Sequence, residues 1–566
     1  MSDEQRAGLA LVLMVLVLLV WSRFYKPAVP PNPPQASPSA ANVEPQPSAP
    51  SPEQKTTPAS PRESARAATP AKEAPSEQTI TVESSLYRVE LSNRGGVVRS
   101  WKLNKYLDSE NPPKPQELVN AAAAGQLNAW PLSIRLDDPK LTSAANNGLY
   151  LVKSQSAAMR APAEVDFEWS DGHLDVVKQF KFAEGYQSQL SVSATLDGNG
   201  LPVSIAWRGG FGDQSVPNAA VLTQVFYNQD GKVQTLSYKK LGVNGHPDQP
   251  VQITGPIDAA GIEDQFFAAA FLLNQPNLSL WDWAQQQNVT EQGKTSQLPV
   301  SEMAAGPEAP GPWSVQFYVG PKLLAELEKL SPPLNSLVQF GYMSIIAKPL
   351  LLILKWSYKY IPNYGWDIVL LTIAINMALF PLRVKQWHST KKMQNVMPKQ
   401  KAIQEKYKKY SMRDPRRRQM QEEIGALYKE HGVNPFGSCL PQLVQFPIWW
   451  ALYRMLEYSI ELRHAPWIGW IHDLSAADPY YILPIVLTLS YYFLGKMTPQ
   501  MATDPAQQKM FTYMPMFMGL FFFRLSSGLV LYVCASSIVN ILQQWYLNRT
   551  DPLPSRSRFK SKPAKA

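Results

Sequence analysis

The sequence predicts a polytopic α-helical membrane protein that carries an all-β sandwich domain. Three observations support this fold class. Long apolar runs crowd the second half of the chain, short alternating strands with turns fill much of the first half, and a strongly basic stretch separates two of the apolar runs. Together they predict a five-helix core with a cytoplasmic helical hairpin, and an apolar run near the start of the chain adds an N-terminal transmembrane anchor.

The composition excludes several kinds of site. The chain has 566 residues, a net charge of +9 and a mean hydropathy of −0.22, which averages a polar first part with an apolar second part. Its two cysteines, Cys439 and Cys534, lie in or beside apolar runs, so we expect neither a disulfide framework nor a Cys/His metal site. The sandwich region shows no nucleophile motif and no glycine-rich phosphate loop. We therefore expect no catalytic residue, cofactor or metal.

The chain begins with an apolar segment, Ala7 to Trp21, flanked by Arg6 and Arg23. At ~1.5 Å per residue this helix is short for a ~30 Å bilayer core, and it spans if both arginines reach toward the interfaces. A cleaved signal peptide is the alternative, but no small-x-small cleavage site follows promptly. We predict an uncleaved anchor over residues 1–26 and a Pro/Ala/Ser-rich linker over residues 27–78.

Residues 79–330 are predicted to form the sandwich. Runs that alternate apolar and polar residues recur there, such as TITVESSLYRVELSN and DVVKQFKF, and turn signals separate them. Strands of this length and spacing are typical of an all-β sandwich. The histidines of this region, His173 and His246, sit in turn-like segments without an acidic partner nearby, so we interpret both as surface residues.

The second half combines interfacial and spanning segments. Residues 331–362 mix apolar residues with lysines, which predicts an amphipathic helix lying at the membrane interface. The core is placed at residues 363–548, with the hairpin at 383–432. The predicted core spans are Trp366–Leu382, Leu440–Tyr458, Tyr480–Leu494, Met510–Phe523 and Leu529–Leu547.

Charge predicts the orientation of these segments. Residues 383–430 contain fourteen Lys/Arg and five Asp/Glu, so this stretch has a net charge of +9, equal to that of the whole chain. The positive-inside rule places it in the cytoplasm, together with the basic tail at residues 549–566. By parity, both termini are cytoplasmic, and the sandwich and the loop at 461–479 lie on the opposite side of the membrane.

The basic stretch is predicted to fold as two antiparallel helices. Apolar residues recur at helical spacing on both sides of a break at Arg413-Asp414-Pro415 and predict a narrow seam between the arms. The seam residues are Met393, Val396 or Met397, Ile403, Tyr407 and Tyr410, then Met420, Ile424, Leu427 and Tyr428. The positive charge either only fixes the topology or binds anionic lipids, ribosomal RNA or acidic client segments.

One cation lies inside a predicted span. Arg454 stands within Leu440–Tyr458, and an arginine near the centre of a lipid-facing helix costs about 3 kcal/mol on the lenient insertion scale. Such a residue is expected to face a partner or a water-filled cavity, which makes it a candidate functional residue. The alternatives are an arginine that reaches outward to the interface and a pair with Glu457 one turn on.

The region after the hairpin resembles the YidC family of membrane-protein insertases. The similar segments are LYKEHGVNPFGSCLPQLVQFPIWWALYRML, ELRHAPWIGWIHDLSAADPYYILPI, TDPAQQKMFTYMPMFM and SSGLVLYVCASSIVNILQQ. The order of anchor, sandwich, interfacial helix, span, hairpin and further spans is also similar. The resemblance implies an inner-membrane protein of the Gram-negative type with a large periplasmic domain. It also implies that the chain inserts and folds membrane proteins, alone or with the secretion translocon.

Further expectations follow from the same resemblance. It implies a hydrophilic groove, open to cytoplasm and lipid and closed toward the periplasm, that receives the polar flank of a nascent client. It implies that Tyr532 lies on the face of the core where a client leaves the groove. Ribosome binding through the basic hairpin and tail, and binding of anionic lipids, are expected from their charge. No covalent chemistry is required, so the chain is expected to be an insertase and chaperone and not an enzyme.

The chain departs from the family at the groove cation. The family commonly places a cation five residues before the Pro-Leu that ends the first core span, and here that position holds Asn376. Arg383, seven residues on, lies on almost the same helical face but about 10 Å nearer the cytoplasm. We favour Arg454 on the neighbouring span, with Asn376, as the polar groove floor. The remaining candidates for the groove lining are Gln442, Gln445 and Asn540.

Two other functions fit the pattern less well. A small-solute transporter or channel predicts internal repeats and paired broken helices, and the sequence shows no repeat. A non-catalytic assembly scaffold does not need a buried arginine. For an insertase, deleting most of residues 79–330 is expected to leave the insertion activity in place.

Overall fold

The structure of the protein is a computed structural model. It describes residues 70–154, 156–216, 219–238, 240–241, 250–273, 278–291, 294–410, 414–433, 440–498, 513–514 and 519–552. Several predicted features lie outside these ranges: the anchor, most of the linker, His246, Cys439, half of the fourth core span and most of the basic tail. A β-rich domain and a helical region follow one another, in the order that the sequence predicts.

The β-rich domain contains three sheets. Its first strands are β1 (Thr79–Glu83), β2 (Tyr87–Ser92), β3 (Val97–Leu107), β4 (Pro115–Glu117), β5 (Ser133–Arg135), β6 (Leu151–Val152), β7 (Ala158–Arg160), β8 (Ala163–Ser170), β9 (Leu174–Phe182) and β10 (Gln187–Leu196). The later ones are β11 (Asn199–Leu201), β12 (Ser204–Trp207), β13 (Gln224–Gln229), β14 (Lys232–Ser237), β15 (Val251–Gly255), β16 (Ile257–Glu263), β17 (Phe267–Leu272), β18 (Leu278–Glu291), β19 (Lys294–Pro307) and β20 (Trp313–Pro321).

The described strand pairs are antiparallel, except for β1 with β7. The smaller sheets run β4-β3-β2-β1-β7 and β15-β18-β19-β12-β5, and the large one runs β14-β13-β16-β17-β20-β10-β9-β8-β6 with β11 beside β10. Inward side chains from these sheets form one continuous apolar core with the helical region. Burial of that alternating apolar face is the main favourable term in folding the domain.

Short helices interrupt the strands, so the all-β prediction is correct for the sheets but incomplete. They are α1 (Ala121–Leu127), α2 (Pro139–Asn147), α3 (Ala219–Leu222) and α4 (Leu324–Leu327). Asn120 and Asp138 cap the first two of these helices, since their side chains accept hydrogen bonds from backbone amides of the first turn. Proline at the first position of α2 fits the same helix start.

A lysine occupies an inward position of β9. Every second residue of that strand is buried, and Lys178 takes one of these positions with no exposed surface. Its ammonium group donates to the carbonyl oxygens of Gly95 at 3.0 Å, Gly96 at 2.7 Å and Leu132 at 2.7 Å. Burial lowers the pKa of Lys178 to about 7, because the charged form loses its hydration.

Two details of the domain differ from expectation. Lys72 forms a backbone bridge with Ser170, and Ala74 is buried, so the domain's packing begins within the predicted linker. His173 is exposed, as predicted, but it has an acidic partner: its Nδ1 lies 2.8 Å from the Asp197 carboxylate. Asp197 lies beyond the next strand in sequence, and the hairpin between β9 and β10 brings the two together. This hydrogen bond raises the pKa of His173.

The second part of the described chain is helical. Its helices are α5 (Ser344–Tyr358), α6 (Tyr364–Tyr407), α7 (Arg416–Glu430), α8 (Leu440–Tyr458), α9 (Ile482–Met497) and α10 (Ser527–Thr550), with 3₁₀ turns at Asn335–Leu337, Gly341–Met343, Ile460–Leu462 and Leu520–Arg524. Within the described ranges, two helices, α6 and α10, are long and apolar enough to cross a membrane, and α9 is a shorter apolar helix. The predicted five-helix core therefore remains a prediction.

Helix α5 lies within the predicted interfacial region. One face is buried and packs toward α8, whereas the other exposes large apolar side chains. The buried residues are Ala347, Leu350, Leu351 and Leu354, and the exposed ones are Ile345, Leu352, Ile353 and Trp356. An exposed apolar face of this kind suits a helix at a membrane interface.

Helix α6 joins the first predicted core span to the first arm of the hairpin. The prediction separated the two at Leu382, but the structure has one helix of 44 residues with Pro381 and Pro398 inside it. Helix α7 packs along its second half through two apolar clusters, which confirms the predicted seam. The clusters contain Met393, Val396, Leu427 and Val433, then Tyr407, Met420 and Ile424, with Ile403 and Tyr428 against both.

Candidate functional site

A cavity of about 490 Å³ lies among α6, α8, α9 and α10. Its polar lining is Asn376, Arg383, Gln386, Gln445, Ser536, Ser537, Asn540 and Gln543, and its apolar and aromatic lining includes Leu379, Phe446, Trp449, Tyr491, Leu494 and Tyr532. Arg383 is the single charged side chain among the described lining residues. The cavity therefore combines an amide-rich wall, one cation and an aromatic wall.

Helix α10 forms the polar wall through regular spacing. Tyr532, Ser536, Asn540 and Gln543 follow one another at intervals of four, four and three residues, so they share one helical face. The sequence-based candidates include Tyr532 and Asn540 but omit Ser536. The same spacing identifies Ser536 as part of the wall, and this signal is readable in the sequence.

Asn376 joins α6 to α10 at the buried end of this wall. Its side chain is 4% exposed, and its Nδ2 donates to the Thr372 carbonyl oxygen at 2.8 Å and lies 3.3 Å from the Ser536 hydroxyl. Gln543 donates from Nε2 to the backbone oxygen of Asn376 at 3.2 Å. These bonds pair the Asn376 amide with neutral groups, so this position holds no charge toward the cavity.

Arg383 lies where α6 passes the polar part of α10. Its guanidinium donates to Asn540 Oδ1 and, at 3.2 Å, to Gln543 Oε1. The described residues provide it with no carboxylate partner. Because these neighbours are neutral amide oxygens, they hold the side chain in place, and no described carboxylate compensates its positive charge.

Arg454 does not line the cavity. Its Cζ lies 5.1 Å from the ring centre of Tyr458 and 5.8 Å from that of Trp450. An α-helix turns by about 100° per residue, so Arg454 is two and a half turns from Gln445 and faces the opposite side of α8. The placement of Arg454 with Asn376 on the groove floor is therefore wrong, and Arg383 is the cation at the cavity.

Gln445 is a residue of α8 that lines the cavity. It is half-buried, and Trp449, one turn later, extends the same face. Gln442 belongs to the same helix, but its side chain lies outside the described part of the chain. No group of three or more metal-ligating side chains occurs among the described residues.

Comparison with known proteins agrees with this architecture. Residues 79–353 match the family described as the YidC periplasmic domain, and residues 356–553 match the family described as 60Kd inner membrane protein. The membrane protein insertase YidC of Syntrophus aciditrophicus is 33% identical over 575 residues, covering 96% of this chain and 99% of that protein. The chain belongs to the YidC family. This confirms the resemblance, the inner-membrane class and the periplasmic domain that the sequence suggested.

Other members of the YidC family give the same result. The insertase of Vibrio cholerae is 31% identical over 479 residues, covering 83% of this chain and 86% of that protein. That of Wolinella succinogenes is 46% identical over 233 residues, or 41% and 42% of the two chains. A solved structure of an active YidC insertase covers 85% of this chain at 16% identity with a TM-score of 0.33. The family assignment depends on the sequence matches and not on that structure.

Proposed function

We propose that the chain inserts client proteins into the inner membrane by receiving their polar flanks in the cavity among α6, α8, α9 and α10. The observation that carries this proposal is that Arg383 is the single charged side chain among the described lining residues and has no carboxylate partner among them. Helix α6 is apolar enough to span a membrane, so the cavity would lie at membrane depth. A site of this kind suits a peptide segment with carboxylates and unpaired backbone groups.

Solvation explains why such a cavity would promote insertion. An unsatisfied polar group costs several kcal/mol in hydrocarbon, and a charged one costs more. Amides on α10 and water in the cavity would replace part of the lost hydration. The membrane potential adds about 2.3 kcal/mol per 100 mV for each acidic group that moves outward. No covalent step is required, so the proposed activity is that of an insertase and chaperone.

The same proposal includes the orientation and the partners. The hairpin of α6 and α7 and both termini would be cytoplasmic, and the β-rich domain and the loop between α8 and α9 would be periplasmic. Five spans would form the core, and half of one of them, residues 510–523, lies outside the described ranges. Nascent membrane proteins are the clients, and the secretion translocon, the ribosome and anionic lipids are the further partners that family and charge suggest.

Substitution of Arg383 tests the role of its charge. Arg383→Gln removes the charge but keeps a hydrogen-bonding side chain. We expect it to slow the insertion of a client with an acidic flank about tenfold, because it removes a charge-assisted hydrogen bond that contributes about 1.5 kcal/mol. Arg383→Lys is expected to retain most of the activity. The measurement is protease protection of a short client after addition to liposomes that contain the purified chain.

Two controls make this test specific. Arg454→Gln removes an arginine that does not reach the cavity and is expected to insert the acidic client normally. The same client with a neutral flank should respond little to Arg383→Gln. Equal losses for both clients would mean that Arg383 acts through packing, and solute flux without client insertion would favour a transporter or channel.

A further inference from the structure

A loop covers one end of the helices that form the cavity. Residues 459–481 join α8 to α9, and we call this segment the end loop. Its backbone binds the first turn of α10: Ser527 N donates to Ala476 O at 2.6 Å, and Gly528 N donates to Leu474 O at 2.8 Å. The end loop therefore satisfies amides that the start of α10 would otherwise leave unpaired.

The end loop also binds the first turns of α6 and α9. Asn363, the cap of α6, donates from Nδ2 to Trp467 O at 3.0 Å, and Gly365 lies so close to the Trp467 ring that a Cβ there would be 2.1 Å from it. At the other end of the loop, the Asp478 carboxylate accepts from Leu483 N at 2.7 Å. One loop thus contacts the first turns of three cavity helices.

One arginine fastens the end loop to the β-rich domain. Arg463 donates to Asp213 Oδ2 at 2.6 Å, to Gln116 Oε1 at 2.7 Å and to the Leu107 carbonyl oxygen at 2.5 Å. The side chains of this ion pair are 3% and 4% exposed. A buried guanidinium that donates to three separate acceptors fixes both the position and the orientation of the two surfaces that it joins.

Weaker contacts surround this pair. Gln265 in the β-rich domain donates to the Glu457 backbone oxygen at the end of α8 at 2.8 Å, and Ser109 Oγ lies 3.2 Å from His464 Nε2. The Phe267 ring packs against the Arg463 guanidinium at 5.3 Å. The buried ion pair is the natural centre of the contact, since removing either partner leaves the other buried without its opposite charge.

We propose that Arg463 is a positioning residue that fixes the β-rich domain to the end loop and so keeps the cavity closed at its periplasmic end. We call its ion pair with Asp213 the pin. The proposal rests on the proposed function, because it takes the orientation and the client-binding cavity from there. With the pin in place, the β-rich domain restrains the loop that binds the first turns of α6, α9 and α10. Without it, the loop keeps its contacts with the helices but loses its strongest link to the β-rich domain, and water and solutes gain access from the periplasm.

Thiol labelling from each side of the membrane tests the pin. The probe is Gln445→Cys on the cavity wall, in the full chain with Cys439→Ser and Cys534→Ser, treated with a membrane-impermeant maleimide on vesicles of either orientation. We expect the starting chain to be labelled from the cytoplasmic side only. Arg463→Ala should raise the labelling rate from the periplasmic side several-fold, and Asp213→Asn should do so as well.

The controls separate a lost pin from a damaged domain. Arg88→Ala removes an arginine whose ion pairs are about half exposed in the same domain, and it should leave labelling unchanged. Trypsin resistance of the β-rich domain is measured in the same vesicles. If Arg463→Ala loses that resistance, the result is decided by Asp213→Asn, whose side-chain oxygen still accepts from Ser215.

Two results would overturn the inference in distinguishable ways. Periplasmic labelling that stays unchanged in a variant with an intact domain would show that the end loop closes the cavity without the pin. Labelling of the starting chain equally from both sides, or from neither, would refute the closed, cytoplasm-facing cavity and therefore the proposed function as well.

Discussion

At the scale of single residues, the buried ammonium group of Lys178 makes the stability of the β-rich domain depend on pH. Its pKa is about 7 in the folded domain and near 10.5 when exposed. Between these values the unfolded chain binds more protons, so the free energy of unfolding rises with pH, by up to about 1.4 kcal/mol per unit. We expect the Tm followed by near-UV circular dichroism to rise from pH 7 to about pH 9.

Lys178→Met is the matched variant for this prediction. It fills the same volume without a charge, so its Tm should change much less over the same pH range. If the two proteins show parallel pH profiles, the three carbonyl oxygens around Lys178 compensate for its lost hydration, and other groups cause the change.

Single residues also show where sequence reasoning succeeds and where it stops. The sequence identifies Arg383, Asn376, Gln445, Asn540 and Tyr532 as candidates, and all of them line one cavity. It favours Arg454 over Arg383, because a charged residue inside an apolar run does not show which way its side chain points. The helical angle between Gln445 and Arg454 would have separated them, but the side of α8 that faces α10 follows from packing between segments distant in sequence.

At the scale of elements, the hairpin should depend on its apolar seam and not on its charges. Ile424 is 7% exposed and packs with Tyr407 and Met420. Ile424→Ala is expected to destabilise the hairpin by about 2–4 kcal/mol, because it leaves a cavity between the arms. Faster amide hydrogen exchange in α7, with unchanged exchange in the β-rich domain, is the result to look for.

Gln421→Ala is the control, since Gln421 is exposed in the same helix. It should leave exchange in α7 near its original rate. Equal exchange in both variants would mean that the ion pairs between the arms, such as Lys406 with Glu423, are sufficient to hold them.

Element boundaries were predictable where the local signal is strong. Leu440–Tyr458 is the same helix in the prediction and in the structure, and the seam of the hairpin follows from its spacing. The continuity of α6 through Pro381 was not predictable, because proline usually weakens a helix and neighbouring helices decide whether it continues. Short helices in the β-rich domain were missed because their apolar faces are too short to show a period.

At the scale of the whole molecule, the β-rich domain and the helical region share a core but should differ in their importance for insertion. Deleting most of residues 79–330 is expected to leave client insertion in liposomes, since the cavity lies entirely in the helical region. The same deletion should raise periplasmic labelling of Gln445→Cys, because it removes Asp213. Loss of all insertion at normal expression would show that the domain also shapes the cavity.

The length of α6 gives the molecule a mechanical property. Its 44 residues make a rod of about 66 Å, more than twice the ~30 Å thickness of the hydrocarbon core. Arg383 lies about 29 Å from the start of this rod, which leaves about 36 Å of it extending toward the hairpin tip. Arg383 thus divides the rod into two parts of similar length, and Pro381, which lacks one backbone hydrogen bond, stands close to this point. A rotation of the rod about this point would move its two ends by comparable distances in opposite directions.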